Sequence, residues 1–181
     1  MRDEISYRRM LPDAVTLVVI LRGKDGEDRL LLAREFRYPA GQFLLSPPAG
    51  LLDPEDRDAP DPLLSCARRE LKEETGLKVR PGDTLHILSP LLFSTPGLSD
   101  ESNALVLAHL RDTGAHIAAS GASGSECFEG FCLLNREEAR SMLRKGLDDR
   151  DMFYSVYTFA ALSVFCLMAS GNLLSEEELS C

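Results

Sequence analysis

The chain has 181 residues, 44% of them hydrophobic. This is enough for one hydrophobic core of ordinary size and too little for two domains that each have such a core. Its 20 basic and 29 acidic side chains give a net charge of -9. This balance disfavours a nucleic-acid backbone as partner, and an anionic substrate would need a metal or a local basic patch.

Cysteine content and the first residues bear on the compartment. The five cysteines are odd in number, scattered, and include no C-x-x-C pair. Neither a disulfide framework nor a zinc site is indicated, and a reducing cytoplasm fits best. Residues 1–13 place no apolar core behind their charges, so we expect no secretory signal.

The first predicted elements are strands. Apolar runs at 14–21 and 29–34 are joined by the turn-forming GKDGED and predict a hairpin whose first strand is buried. Later strands are predicted at 84–93, 103–110 and 127–134.

A helix is predicted between the hairpin and the later strands, over residues 61–75. Asp61 serves as N-cap, Pro62 takes the first helical position, and Gly76 ends the helix. The residues of the predicted inward face are Leu63, Leu64, Ala67 and Leu71.

A second helix is predicted after the last strand. It begins at the N-cap Asn135, with Glu138 three residues later as in a capping box, and it ends at Gly146. The side chains that we expect it to bury are Ala139, Met142 and Leu143.

The segment 152–169 is nearly all apolar and close to the length that spans a bilayer. Interspersed polar residues and helical spacing favour a core helix, partly covered by a second subunit, over a membrane anchor. Its predicted inward face holds Phe153, Val156, Ala160, Val164 and Leu167. We therefore expect an α+β domain with a mixed sheet at 14–170, an extension at 1–13 and a tail at 171–181.

Three acids in RRELKEETG share one face of the helix over residues 61–75. Glu70, Glu73 and Glu74 are spaced i, i+3, i+4, so they fall within an arc of roughly 100°. A solvated face, with Arg69 and Glu73 as an ordinary ion pair, is one interpretation. The other is a cation site, which the Pro/Gly-dense loop PPAGLLDPEDRDAPDP directly upstream favours.

Oxygen ligands alone suit a hard cation such as Mg2+ or Mn2+. Because Mg2+ typically binds a few carboxylates together with substrate phosphates, we predict a phosphate ester or anhydride as substrate. A cation would offset the repulsion between this acidic chain and such a substrate, and it would deliver an attacking water.

The same residues resemble the Nudix box, G-x5-E-x7-R-E-U-x-E-E-x-G-U, where U is apolar. The stretch RELKEETGL from Arg69 matches every fixed position of the second half, and Gly50 would be the first glycine. The first half departs from the pattern, since ten residues separate Gly50 from Asp61, the acid at the x7 spacing before Arg69. Glu55 is the other candidate for the missing Glu, and Asp61 could serve only as the helix cap.

The resemblance extends to the ADP-ribose pyrophosphatase branch of this family. The stretch LLLAREFRYPAGQFLLSPPAGLLD resembles its Q-[YF]-R and PAG patterns, although Glu35 stands where Gln is usual. TPGLSDE at 95–101 resembles its substrate loop, and SECFEGFCLLNREEA resembles its late acidic loop. The likeness covers roughly residues 14–170 and implies a Nudix-like α/β/α sandwich and a homodimer.

The resemblance also implies roles for residues near the acidic helix. Arg69 would orient the helix acids, and Arg37 would meet a phosphate or ribose oxygen unless it is an ordinary surface arginine. The metal ligands would be Glu70, Glu73, Glu74 and the Ala49 carbonyl. The substrate contacts would be Pro96, Gly97 and Glu101.

The general base would be an acid on a late loop. Glu126 is preferred because it follows the flexible GASGS, whereas Glu129 lies in a strand-like run where it could simply face solvent. Glu101 is a further acid for this role.

The expected activity is Mg2+-dependent hydrolysis of the pyrophosphate in a nucleoside diphosphate-linked substrate, with ADP-ribose giving AMP and ribose 5-phosphate as the first choice. Another nucleotide sugar, a dinucleotide or a coenzyme A derivative stays open as substrate. A third hypothesis is a nucleotide-sensing module without catalysis.

Overall fold

The computed structural model describes residues 11–111 and 128–168. In this part of the chain a single sheet contains seven strands, flanked by four helices. The strands are β1 (Ala14–Arg22), β2 (Asp28–Arg37), β3 (Gln42–Ser46), β4 (Ala49–Leu51), β5 (Thr84–Phe93), β6 (Ser102–Arg111) and β7 (Phe128–Leu134). The helices are α1 (Pro54–Arg57), α2 (Pro62–Thr75), α3 (Arg136–Lys145) and α4 (Val156–Leu167).

Strand β1 lies at the centre of the sheet. The strand order is β3-β2-β1-β6-β5, with β4 paired to β1 and β7 paired to β2. The β1–β6 pair is parallel and the others are antiparallel, so the sheet is mixed as expected. Because both faces of β1 are covered, its sequence is a continuous apolar run rather than an alternating one.

Helices cover the two faces of the sheet. Val15, Leu17 and Val19 of β1 point to a core that contains Ala67 and Leu71 of α2. Val18 and Ile20, which alternate with them, point to a second core formed with α3 and α4. The α+β class and the layered sandwich predicted from the sequence are therefore confirmed.

The predicted strands and two of the helices are confirmed within a few residues, and Asp61 and Asn135 cap α2 and α3 as expected. Strand β3 was not singled out from the sequence. The loop predicted before α2 contains the short strand β4 and the single turn α1. Both elements are too short to show a periodic pattern.

The predicted inward face of α4 is wrong. Phe153, Val156 and Leu167 are 67%, 57% and 84% exposed. The helix buries Thr158, Ala161, Leu162 and Phe165 instead. Its circumference is apolar almost throughout, so apolar spacing does not select one face. A hydrogen bond from Thr158 Oγ1 to the Leu45 carbonyl, 2.6 Å long and buried, fixes which side meets the sheet.

The expectation of a core helix at this segment is consistent with the buried half of α4. None of the helices within residues 11–111 and 128–168 has the length and apolar character that crossing a bilayer requires.

A buried ion pair fastens the loop between α3 and α4 to β2. Arg34 Nη1 lies 2.6 Å from Asp148 Oδ2, with side-chain exposures of 6% and 0%. Asp148 Oδ1 also accepts the backbone N–H groups of Arg150 and Met152, at 2.7 and 3.0 Å. Burial alone would raise the pKa of Asp148, but these N–H groups and Arg34 outweigh it and lower the pKa.

We predict that Asp148→Asn lowers the free energy of unfolding by about 3 kcal/mol, because it leaves a buried guanidinium without its main counter-charge. Since the folded pKa of Asp148 is lowered, this stabilisation is present above the ordinary Asp value of about 3.9 and is lost as the pH falls through the folded value. Denaturant unfolding at several pH values would show the gap between variant and parent closing in acid.

The matched control is Asp149→Asn. Asp149 also lies 2.5 Å from Arg34 but is 60% exposed, so its loss should cost less than about 1 kcal/mol. Equal losses in the two variants would contradict the importance of the buried pair.

Candidate functional site

Helix α2 sets the position of the three acids. Its apolar side packs Cys66, Ala67 and Leu71 against the sheet, and Gly76 ends it in the left-handed conformation with φ of 73°. Glu70 belongs to this buried side and is only 8% exposed, whereas Glu73 is exposed to solvent and Glu74 is half-buried. The three acids therefore differ in how far they are buried.

The absence of a side chain at Gly50 makes room for Glu70. A Cβ atom at Gly50 would fall 1.9 Å from the Glu70 carboxyl carbon and 2.0 and 2.3 Å from its two oxygens. Next to it, the Ala49 N–H donates to Glu74 Oε2 at 3.1 Å. Strand β4 and helix α2 thus meet through the carboxylates.

Arg69 connects these acids to the preceding loop. It donates to Asp56 Oδ2 from Nε at 3.0 Å and from Nη2 at 2.7 Å, and to the Leu51 carbonyl at 2.8 Å. Its Nη1 donates to Glu70 at 2.5 Å and to Glu73 at 3.1 Å. This geometry supports the predicted role of Arg69 in orienting the helix acids.

Asp56 occupies the position of the first acid of the motif, which the sequence interpretation missed. Only 3% exposed, Asp56 accepts from Arg69, from Ser65 Oγ at 3.0 Å and from the Asp53 N–H at 3.2 Å. Asp61 instead accepts from the Leu64 N–H as the helix cap, and Glu55 is exposed on α1.

The spacing of the motif explains the miss. Asp56 follows Gly50 with five residues between them, as the pattern requires, and the extra residues lie between Asp56 and Arg69. Counting back from Arg69 leads to Asp61, whereas counting forward from Gly50 would have found Asp56. Neither Asp61 nor Glu55 is therefore the acid that pairs with Arg69.

The charges of this cluster shift its pKa values. Burial raises the pKa of Glu70, the negative charges of Glu73 and Asp53 add to this, and Arg69 opposes it. Burial would also raise the pKa of Asp56, but hydrogen bonds from Arg69 and Ser65 lower it. Burial acts to lower the pKa of Arg69, and Asp56 and Glu70 outweigh it and raise that pKa.

The donor set around Gly50 fits a hard cation. Within residues 11–111 and 128–168, no three His, Cys, Asp or Glu side chains already stand in a metal-binding arrangement. The acids that converge here nevertheless offer only oxygen, and the charges of Glu73 and Asp53 act unfavourably on ionised Glu70. A divalent cation would relieve this repulsion. Because Gly50 has no side chain, the Glu70 carboxylate can lie directly against β4.

A cleft of about 340 Å3 opens beside β4. The structure brings three of the predicted residues together in its lining: Arg37, Ala49 and Glu101. Gly50 also lines it, and the Glu70 carboxylate, which is not itself a lining residue, lies against Gly50. Arg37 has a side chain that is 49% exposed and pairs with Glu35, the residue that stands where the branch usually has Gln.

Two other predicted groups lie elsewhere. Pro96 and Gly97 form an exposed turn that does not belong to the described lining of this cleft. Glu129 lines a second cleft, of about 190 Å3, and its carboxylate lies 2.6 Å from Arg150 Nη1. Glu126 lies outside the described residues, so the assignment of the general base stays a prediction.

The contact between Asp56 and Arg69 generates a prediction. Asp56→Asn should lower the free energy of unfolding by about 2 kcal/mol, because it removes the charge that receives two hydrogen bonds from Arg69. Denaturant unfolding would measure the loss.

Glu55→Gln and Asp61→Asn are the matched controls, and each should change stability by less than about 0.5 kcal/mol. Asparagine caps a helix as well as aspartate does. A larger loss in either control than in Asp56→Asn would show that Asp56 is not the partner of Arg69.

Comparison with known proteins matches the part of the chain that contains β4 and α2. The NUDIX domain model matches residues 10–155. ADP-ribose pyrophosphatase of Saccharomyces cerevisiae is 38% identical over 96 residues, covering 52% of this chain and 37% of that protein. ADP-sugar pyrophosphatase of Mus musculus is 35% identical over 88 residues, covering 49% of this chain and 36% of that protein.

The match therefore spans well under half the length of these curated relatives. Among solved structures, an Ap4A hydrolase from C. elegans has a TM-score of 0.49 at 22% identity, covering 73% of this chain and 86% of that one. That likeness is too distant to bear on substrate. The family match covers most of the chain, including β1, β4 and the acids of α2, and the chain belongs to the NUDIX domain family.

Proposed function

We propose that this protein hydrolyses the pyrophosphate bond of a nucleoside diphosphate-linked substrate with the help of Mg2+, Mn2+ being the alternative ion. The observation that carries the proposal is the contact between α2 and β4, which places the Glu70 carboxylate against Gly50, a residue that also lines the cleft. Membership of the NUDIX domain family supports the same reaction class.

The preferred substrate is ADP-ribose, which would give AMP and ribose 5-phosphate. The pyrophosphatases of yeast and mouse that resemble this chain carry ADP-ribose and ADP-sugar in their names, which supports a nucleotide sugar. We include a homodimer and a cytoplasmic location in the proposal. The exposed apolar side chains Phe153, just before α4, and Val156 and Phe159, at its start, support a subunit contact.

The residues that would hold the cation are Glu70, Glu73, Glu74 and the Ala49 carbonyl. When bound, the cation would polarise a phosphoryl oxygen and favour ionisation of water. Arg69 keeps Glu70 and Glu73 in position through hydrogen bonds of 2.5 and 3.1 Å. Asp56 in turn holds Arg69, so the loop before α2 contributes to the positioning of the acids.

The reaction adds one water across the P–O–P bridge. The water oxygen forms a bond to one phosphorus while the bridging P–O bond breaks, and a carboxylate accepts a proton from the water. We assign that carboxylate to Glu126, with Glu129 and Glu101 as the other acids for this role. Arg37 would donate to a phosphate or ribose oxygen after leaving Glu35, with Pro96 and Gly97 contacting the substrate on the exposed turn.

We predict that Glu73→Gln and Glu74→Gln each reduce kcat for ADP-ribose by roughly 100-fold or more, because loss of a cation ligand removes several kcal/mol of transition-state stabilisation. Chelation by EDTA should abolish turnover in the parent protein. Initial rates at saturating Mg2+ would measure both effects.

Glu137→Gln is the control, since Glu137 is an exposed acid in the first turn of α3. Parent-level turnover in both α2 variants would refute the assignment of these acids as cation ligands.

Gly50→Ala tests the contact that carries the proposal. The added Cβ must displace the Glu70 carboxylate, which is the end of a flexible side chain, so stability should change by less than about 1 kcal/mol. Turnover should nevertheless fall by at least about tenfold, because the acid moves away from its position beside β4.

Gly23→Ala is a matched control in the β1–β2 hairpin. There the added Cβ would meet the exposed Asp25 side chain at 2.4 Å and the half-buried Arg29 side chain at 2.6 Å. Undiminished turnover in Gly50→Ala would contradict the role of this glycine.

A further inference from the structure

Within the described residues, two polar side-chain atoms are buried without a hydrogen-bond partner, and both belong to residues that line the cleft beside β4. They are the Asn103 Oδ1 atom and the Tyr157 hydroxyl. Buried polar groups in native proteins are almost always paired, so each exception needs an explanation. Their shared location suggests a common cause, a ligand that completes both.

Asn103 is held rigidly from one side. It lies on β6 next to β1, it is only 6% exposed, and its Nδ2 donates to Thr16 Oγ1 at 2.8 Å. This bond fixes the plane of the amide and leaves Oδ1 as an acceptor in need of a donor.

Tyr157 lies in the first turn of α4 and also lines the cleft. Its hydroxyl is near enough to Ser94 for that side chain to act on its pKa, but no hydrogen bond of ordinary geometry joins the two hydroxyl groups. Burial raises the pKa of Tyr157 and the charge of Glu101 adds to this, so the hydroxyl stays protonated and can donate.

The remaining chemistry of the cleft restricts what can bind there. Besides Asn103 and Tyr157, the uncharged polar side chains of the lining are Thr16, Ser46 and Ser155. Glu101 lines the cleft and its charge acts on Tyr157, so an anionic group beside the Tyr157 hydroxyl would be repelled. A neutral group rich in donors and acceptors is favoured there, which leaves Arg37 for the phosphate or ribose oxygen of the proposed function.

We propose that the part of this cleft lined by Asn103 and Tyr157 binds a sugar group of the substrate, with Asn103 Oδ1 accepting from one sugar hydroxyl and the Tyr157 hydroxyl donating to another. Each sugar hydroxyl is both donor and acceptor, so one ring satisfies both unpaired atoms. Tyr157 is the one aromatic side chain among the described lining residues, so the lining offers no pair of rings to enclose a base. This inference rests on the proposed function and makes Asn103 and Tyr157 specificity-determining residues for it.

Tyr157→Phe and Tyr154→Phe form a matched pair that separates this role from a structural one. Tyr154 donates to the Met142 carbonyl at 3.1 Å and does not line the cleft, so its loss should lower the melting temperature by about 2–4 °C. Because the Tyr157 hydroxyl has no partner in the described chain, its removal should leave the melting temperature unchanged or raise it.

Binding is measured by calorimetry with Mg2+ and two probes, the α,β-methylene analogue of ADP-ribose and inorganic pyrophosphate. The first carries sugars and resists hydrolysis, and the second has the diphosphate alone. Tyr157→Phe should raise Kd for the ADP-ribose analogue about 2- to 10-fold and leave Kd for pyrophosphate unchanged. Asn103→Ala should show the same selectivity for the sugar-bearing probe, and Tyr154→Phe should change neither constant.

Equal weakening of both probes in Tyr157→Phe would overturn the inference, because the hydroxyl would then act through the diphosphate. So would an unchanged Kd for the analogue, or a loss of stability like that of Tyr154→Phe. If the parent binds the analogue selectively through Tyr157 but hydrolyses no ADP-ribose, the sugar site stands and the proposed function fails. If it hydrolyses a diphosphate substrate but does not bind the analogue, the proposed function stands and the sugar site fails.

Discussion

The guanidinium of Arg69 is the interaction on which the geometry of the site depends. It joins the buried Asp56 carboxylate and the Leu51 carbonyl on one side to Glu70 and Glu73 on the other. Because Asp56 is 3% exposed and Arg69 is fixed by two hydrogen bonds to it, the acids of α2 inherit a defined position relative to the loop and β4. An arginine is suited to this because its planar group donates in several directions at once.

The second constraint is steric, and it works together with the first. Glu70 can lie against β4 only because position 50 has no side chain, and the Ala49 N–H holds Glu74 at the same strand. The cluster therefore keeps several negative charges close together with one arginine to balance them. In a protein of net charge -9 this arrangement is unfavourable by itself. Binding of the proposed cation and anionic substrate would offset the repulsion among the acids.

The sequence predicted most of the fold because its strongest signals are local. Asp61, Pro62 and Gly76 mark the ends of α2, and the continuous apolar run of β1 marks a strand covered on both sides. The face of α4 could not be predicted, since the helix is apolar almost all round, and its buried side includes a hydrogen bond from Thr158 to the distant Leu45 carbonyl that the pattern does not reveal. Asp56 was missed because an insertion separates it from Arg69, and only the fold shows the two in contact. The unpaired atoms of Asn103 and Tyr157 depend on contacts between distant segments, which spacing along the chain cannot reveal.

A divalent cation that binds at the α2 carboxylates and contacts the diphosphate of the substrate is the basis of the proposed function. Adding Mn2+ to the protein with the α,β-methylene analogue of ADP-ribose and recording phosphorus NMR spectra would test this proposal. We expect both phosphorus resonances of the bound analogue to broaden in proportion to the protein present, and Glu73→Gln to diminish this broadening. Resonances that broaden no more than in a protein-free mixture of Mn2+ and the analogue would contradict it.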